Sequence, residues 1–250
     1  MARPRSVAVY SLKGGVGKTT FAVNLAWAAA TQSRRTTLLW DLDAQAASTF
    51  LLGADGEAGG QARAVFAREI APARLIRPSG IERLDLLPAD SSLRQLDRFF
   101  FGLGKKRRLE KLIEELGRGH ERVLLDCPPG LTETSEQVLR AADLIIVPVI
   151  PSELSRRALD EVIGFLDRKG LRRGAVLPVY NMVDRRRTLH RRAVDEHPDW
   201  PMVPMASAVE EMGVRRAPVG AFAARSPAAV ALSELWAGVE RRLARLGEAG

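Results

Sequence analysis

Cysteine is almost absent from this 250-residue chain, in which Cys127 stands alone. One thiol excludes an intrachain disulfide and a paired-cysteine metal site, and it fits a reducing, cytoplasmic setting. The residue reads as a small buried side chain. Histidine is nearly as scarce: His120, His190 and His197 lack the spacings by which imidazoles share a metal, and they read as ordinary surface residues. Long apolar runs are missing too. No stretch approaches the roughly 18 uninterrupted apolar residues of a membrane-spanning helix. The short run "SVAVY" near the start flows directly into a glycine loop without a cleavage site, so it reads as a strand and not as a signal peptide. There is no internal repeat and no low-complexity tail.

Positive charge, by contrast, is in excess. The chain carries 38 Lys and Arg against 30 Asp and Glu, a formal charge of +8, which points to an anionic partner such as nucleic acid or an acidic membrane face. Apolar, β-branched runs alternate with helical patterns, as in a parallel sheet wrapped by helices. Strands are predicted near residues 6–11, 36–41, 83–87, 122–126, 143–148, 174–180 and 202–205. Helical spacing runs through "KTTFAVNLAWAAATQ", "KRRLEKLIEEL" and "ELSRRALDEVIGFLDRKG", the last ending at a glycine stop. The expected fold is α/β, a mostly parallel twisted sheet flanked by helices, in a single domain over 1–250, with "GADGEAGGQARA" at 53–64 as a mobile surface loop.

The chemistry concentrates after the first strand, in "SLKGGVGKTTF" at 11–21. A strand, a glycine turn and a helix opening make a nest of backbone N–H groups, here Gly14, Gly15, Val16 and Gly17, at a positive helix end, and such a nest holds phosphate oxygens. Lys18 falls where a P-loop places its phosphate-reaching lysine, Thr19 falls where it places its magnesium-binding hydroxyl, and Thr20 follows. The pattern G-x-x-x-x-G-K-[ST] expects glycine where this chain has Leu12, and Lys13 comes next. Two ammonium groups on one set of phosphates repel each other, so a more economical role for Lys13 is to reach the phosphates of a neighbouring subunit. The competing reading is a glycine-rich turn with solvated lysines.

The second strand ends in "LLWDLDAQAAST", which brings Asp41 and Asp43 to the carboxyl edge of the sheet, where open α/β folds bind ligands. Period two points both acids to one side. Beside a phosphate site they suit magnesium coordination or water positioning, the alternative being two acids that cap the next helix. "ERVLLDCPPG" sets Asp126 at the end of a buried strand, the Walker-B position. Pro128, Pro129 and Gly130 then make a stiff turn whose glycine N–H can sense a γ-phosphate.

"KGGVGKTTFAVNLA", "DLDAQAAST", "LLDCPPG" and "AADLIIVPVIPSELS" follow one another in the order and spacing of the ParA/MinD class of P-loop ATPases, the deviant Walker A group that segregates plasmids and positions cellular cargo; the chain resembles that class over most of its length. The resemblance implies a P-loop NTPase fold, ATP and Mg2+ as cofactors, and hydrolysis to ADP and phosphate. It implies that Lys13 contacts the partner's nucleotide in an ATP-sandwich homodimer and that Lys18 and Thr19 serve phosphates and magnesium. Asp43 then helps to activate the hydrolytic water beside the metal, and Asp126 is the Walker-B acid. Asn181 and Pro204 fall where the family contacts the adenine base. The family usually has DxDPQ where this chain has Asp43, Ala44 and Gln45, which makes for a looser turn.

Arginines crowd "YNMVDRRRTLHRRAVDEH" as Arg185, Arg186, Arg187, Arg191 and Arg192, and "MGVRRAPVGAF" adds Arg215 and Arg216. Positions 187 and 191 share a helix face, as do 188 and 192. Such patches bind DNA backbone without reading sequence, and ParA proteins resemble this in binding nucleoid DNA through their C-terminal region once ATP has dimerised them. The bland reading is a solvated helix face. "KKRR" at 105–108 is a weaker basic run.

The leading functional expectation is a cytoplasmic, nucleoid-associated positioning ATPase whose hydrolysis a ParB-like or other adaptor stimulates. The lack of a helix-turn-helix before the first strand suggests a short form. One alternative is a MinD-like membrane ATPase using "LSELWAGVERRLARLGEAG", with Leu235, Trp236, Val239, Leu243 and Leu246 on one side. Glu234, Glu240 and Glu248 interrupt its polar face, which favours a helix packed on the sheet. Another is an amide ligase of the dethiobiotin-synthetase type, which needs neither Lys13 nor an arginine surface. A nitrogenase-iron-protein-like reductase lacks its cysteines here, and a tyrosine autokinase lacks its tyrosine tail, since only Tyr10 and Tyr180 are present.

Overall fold

The computed structural model describes residues 3–54, 61–103, 107–171 and 176–248; the middle of the expected surface loop, 55–60, and Lys105 and Lys106 of the basic run lie outside them. Strand β1 (Arg5–Val9) leads into helix α1 (Lys18–Thr31), then β2 (Thr37–Asp41), α2 (Ala47–Leu51) and α3 (Ala62–Ala67). A short antiparallel pair, β3 (Arg77–Ile81) and β4 (Leu84–Leu87), precedes α4 (Leu96–Leu103) and α5 (Arg108–Leu116). Next come β5 (Arg122–Asp126), α6 (Glu133–Ala141), β6 (Leu144–Val149), α7 (Glu153–Arg168), β7 (Val176–Val183), α8 (Thr188–Glu196) and β8 (Met202–Pro204). Three single turns, α9 (Ser207–Glu210), α10 (Met212–Arg215) and α11 (Val219–Phe222), lead to α12 (Pro227–Glu248).

The strands form one eight-stranded sheet in the order β3-β4-β2-β5-β1-β6-β7-β8, parallel except for β3. Its central strands are apolar without alternation, and β2 and β6 are buried at every position. Parallel strands covered on both faces read as continuous apolar runs for this reason. The predicted strands match to within one residue at each end for β2, β4, β6 and β8, and β5 coincides. β1 ends earlier than predicted because the chain peels off into the glycine loop, and β7 runs on to Val183 through a bulge at Met182, whose φ is 56°. β3 was not anticipated: "RPSGI" has little apolar character, and Pro78 is tolerated only because the strand lies at the sheet edge.

One face of the sheet is covered by α1 and α12 through Phe21, Leu25, Trp236 and Val239, and the other by α3 to α7 through Phe66, Leu112 and Val162. The apolar side of α12 is therefore used up inside the protein. Trp236 is buried and donates from Nε1 to Ser33 Oγ at 2.8 Å, while Glu240 takes Arg122 in a two-pronged pair at 2.6 and 3.0 Å. No helix among the described residues is long and apolar enough to cross a membrane.

Helix α1 also carries a buried amide that ties down the single turns near the C-terminus. Asn24 Nδ2 donates to Thr20 O at 2.8 Å, and its Oδ1 accepts from Val219 N at 2.8 Å. Asn24→Ala would leave a buried N–H unpaired, a loss of about 2 kcal/mol. Urea unfolding should show it as a lower midpoint with an unchanged slope.

Candidate functional site

Val9, Asp126 and Asp41 are register partners across β1, β5 and β2, so three parallel strands end on one line at the carboxyl edge of the sheet. From β1 the chain enters the glycine loop. Gly15 and Gly17 take φ of 73° and 93°, a left-handed geometry that other residues resist, and Gly17 directly precedes α1. A Cβ on Gly17 would collide with the Asn181 amide. The Met182 bulge in β7 brings that amide here, and Asn181 Nδ2 donates to Val16 O at 2.8 Å. Gly14 and Gly15 are exposed, Val16 is buried, and Thr19 and Thr20 open α1 half-buried. Pro204 ends β8, one strand farther out, opposite Val183.

Lys18 is buried and folds back along the loop, donating from Nζ to the Lys13 carbonyl at 2.9 Å. Burial lowers its pKa, and the charges of Asp126 and Asp43 oppose that shift. The Lys13 side chain is half-buried.

The two strand-end acids predicted to act together have different environments. Asp43 lies past β2, half-buried, and accepts from Gln45 N at 2.9 Å. Asp41 is fully buried and turned to α2: its Oδ2 accepts from Thr49 N at 2.9 Å and Thr49 Oγ1 at 2.8 Å, and its Oδ1 accepts from Asp43 N at 3.1 Å. Asp41 is thus the helix-holding acid of the pair, because the chain leaves the pleat after β2 and period two no longer applies. Thr49 Oγ1 also accepts from Ala89 N at 2.9 Å, which joins β2, α2 and the end of β4.

Asp126 is equally buried, and its Oδ2 accepts from Ser48 Oγ at 2.7 Å. Its Oδ1 is the one buried side-chain oxygen or nitrogen without a hydrogen-bond partner among the described residues. Burial raises the pKa of both Asp41 and Asp126, and their mutual repulsion adds to this for Asp41; the hydroxyls of Ser48 and Thr19, then Lys18, pull Asp126 back down. Burial also raises the Cys127 thiol, which keeps it protonated and unreactive. The switch-like turn is tethered from below, since Tyr10 Oη donates to Gly130 O at 2.9 Å. Ser48, Thr49 and Tyr10 escaped the sequence reading, although the Ser-Thr pair five residues after Asp43 was its visible signal.

The arginine window is a braced turn followed by a helix. Arg185 and Arg186 precede α8 and Arg187 caps it, so only Arg191 and Arg192 lie on the helix itself. Arg186 grips Asp184 at 2.9 and 3.0 Å, and that pairing holds Asp184 well below the usual carboxylate range. Arg191 donates to the Arg185 and Arg186 carbonyls at 3.0 and 3.3 Å. His190 is buried, not a surface residue: Asp184 N donates to its Nδ1 at 3.0 Å, and burial lowers its pKa. His197 stacks on Trp200 at 4.3 Å, and His120 bonds Asp85 at 2.9 Å. Arg215 pairs with Glu211 at 2.8 Å, and Arg216 lies over the ring of Phe50 on α2 at 4.2 Å.

A family model described as an AAA domain matches residues 4–171. A ParA family protein of Chlamydia pneumoniae is 31% identical over 170 residues, which cover 65% of this chain and 65% of that protein, just under two thirds of its length. Among solved structures, the ATP complex of a McdA variant from Cyanothece has a TM-score of 0.80 at 19% identity and covers 98% of both chains. Cobyrinic acid a,c-diamide synthase from Mycobacterium smegmatis, with a bound ATP analogue and magnesium, has a TM-score of 0.79 at 25% identity over 95% of this chain and 94% of that one.

The linkage through Thr49 makes a purely structural prediction. Thr49→Val keeps the shape but strands the Ala89 N–H and removes a hydroxyl from Asp41, at a cost of about 2–3 kcal/mol. Thermal unfolding in the absence of nucleotide should show the loss.

Proposed function

The chain belongs to the AAA-domain family as a ParA/MinD-type P-loop ATPase, and from that premise we propose that it is a single ATPase unit that binds ATP with magnesium, closes into a homodimer and then holds DNA backbone without sequence preference. The observation that carries this reading is the gathering of Lys18, Thr19 and Asp43 about Asp126 at the carboxyl edge of the sheet, with one Asp126 oxygen making no hydrogen bond. A buried, half-bonded carboxylate beside a threonine hydroxyl fits a magnesium ion bound directly or through water. When bound, magnesium would neutralise charge on the transferring phosphoryl group.

The chain's own residues supply the rest. Backbone N–H groups of the glycine loop cradle the phosphates, and Lys18 exchanges the Lys13 carbonyl for a phosphate oxygen. Asp43, less buried than its neighbours and outside the Asp41–Thr49 linkage, orients the attacking water. Lys13 reaches the twin subunit's phosphates, so loss of the γ-phosphate loosens the dimer. Arg185, Arg187 and Arg192 on the braced turn and α8 face solvent and suit phosphate contacts. An adaptor of ParB type that stimulates hydrolysis, and a nucleoid location in the cytoplasm, complete the reading. A membrane role through α12 is not favoured, because its apolar side packs on the sheet. An amide-ligase activity leaves Lys13 and the arginine turn without a task.

Lys18→Ala should weaken ATP binding by about 100-fold, measured by calorimetry. Asp43→Ala should keep ATP-dependent dimers in light scattering while hydrolysis slows by about 100-fold or more; turnover at the wild-type rate would remove Asp43 from its role. Reversing the charge of Arg185, Arg187 and Arg192 together should weaken DNA binding and flatten its salt dependence, with ATP binding retained. Unchanged affinity in a low-salt gel shift would take the turn out of the DNA contact.

A further inference from the structure

Two adjacent hydroxyls on α2 divide the two buried acids between them. Asp41 and Asp126 are register partners on β2 and β5, yet Thr49 bonds only the first and Ser48 only the second. The division follows from the backbone. Ala46 takes a left-handed φ of 54°, and this turns the chain so that α2 starts over the ends of both strands with Ser48 and Thr49 buried against them.

A carboxylate can rotate about its last torsion through a broad, nearly two-fold profile. A single strong bond to one oxygen removes that freedom. Ser48 Oγ, fully buried and 2.7 Å from Asp126 Oδ2, supplies such a bond, while Oδ1 makes no hydrogen bond and the Thr19 hydroxyl lies near the carboxylate. We propose that Ser48 is a positioning residue for the magnesium site: it fixes the plane of the Asp126 carboxylate so that Oδ1 is the oxygen offered to the ion or its water. The inference rests on the nucleotide-site reading above and adds a residue to it. Hydrogen-bond partners of metal-binding groups act in this way, orienting the ligand without touching the ion.

The test reads magnesium dependence. Binding of a fluorescent ATP analogue is followed by anisotropy while magnesium chloride is titrated, and again in EDTA. Ser48→Ala should raise the magnesium concentration at half-maximal binding by about tenfold, the usual cost of losing such a partner, while binding in EDTA stays within about twofold. Ser48→Cys, of similar size with a weaker donor, should fall between. It also gives a second folded variant if the alanine protein melts early. Thr49→Val loosens the same helix without touching Asp126, so its magnesium midpoint should stay at the wild-type value. A wild-type midpoint in Ser48→Ala, or an equal shift in Thr49→Val, overturns the positioning role alone. If the wild-type chain binds no nucleotide in either condition, the nucleotide reading fails and takes this inference with it.

Discussion

Two carboxylates lie side by side, shielded from solvent, at the ends of neighbouring strands, and much of the site is organised around holding that charge. Asp41 and Asp126 are both buried and in register. Ionised acids in such a place are costly unless donors surround them. The donors here are a backbone N–H and two hydroxyls from α2 and the Asp43 backbone, and the Lys18 charge lies nearby. Their supply dictates local features that otherwise look arbitrary: the left-handed residue before α2, the Ser-Thr pair at its start, and a lysine folded inward.

The same pole is strained in the backbone, and the strain is shared between elements distant in sequence. Gly17 takes its left-handed geometry next to Asn181, which arrives through a bulge in β7 with its own left-handed residue, Met182. Together they close the bond from the Asn181 amide to the Val16 carbonyl and pin the loop to the sheet. Helix α1 extends the tie through Asn24 to the turns that carry Arg215 and Arg216, and Arg216 reaches back over Phe50 on α2. The glycine loop, α2 and the second basic segment are thus joined through these contacts.

Positive charge is spread more widely than the two arginine clusters suggest. A cleft of about 660 Å3 at the opposite pole is walled by Arg3, Arg35, Arg118 and Arg122, but Arg35 and Arg122 are paired there with Glu121 and Glu240. Around α8 the pairing is different. Asp184 engages one arginine, and Arg191 engages backbone carbonyls, so the turn is rigid while Arg187 and Arg192 stay at the surface. A net charge of +8 therefore says little until it is known which guanidinium groups acids have already engaged.

The amino-acid sequence by itself determined the sheet's parallel character, most of its strands and the glycine loop with Lys18 and Thr19, because these depend on local pattern: buried parallel strands are uniformly apolar, and a phosphate nest needs consecutive glycines. It also carried the placement of Asp126 at a strand end. Tertiary structure decided what spacing could not. Asp41 turned inward to Thr49 while Asp43 remained at the rim, since the pleat ends at β2. Ser48 met Asp126 across 78 residues of chain. His190 went inside under the arginine turn, and β3 formed at an edge with little apolar signal. Each of these outcomes depends on which neighbour fills the space, a quantity that arises only once distant segments pack together.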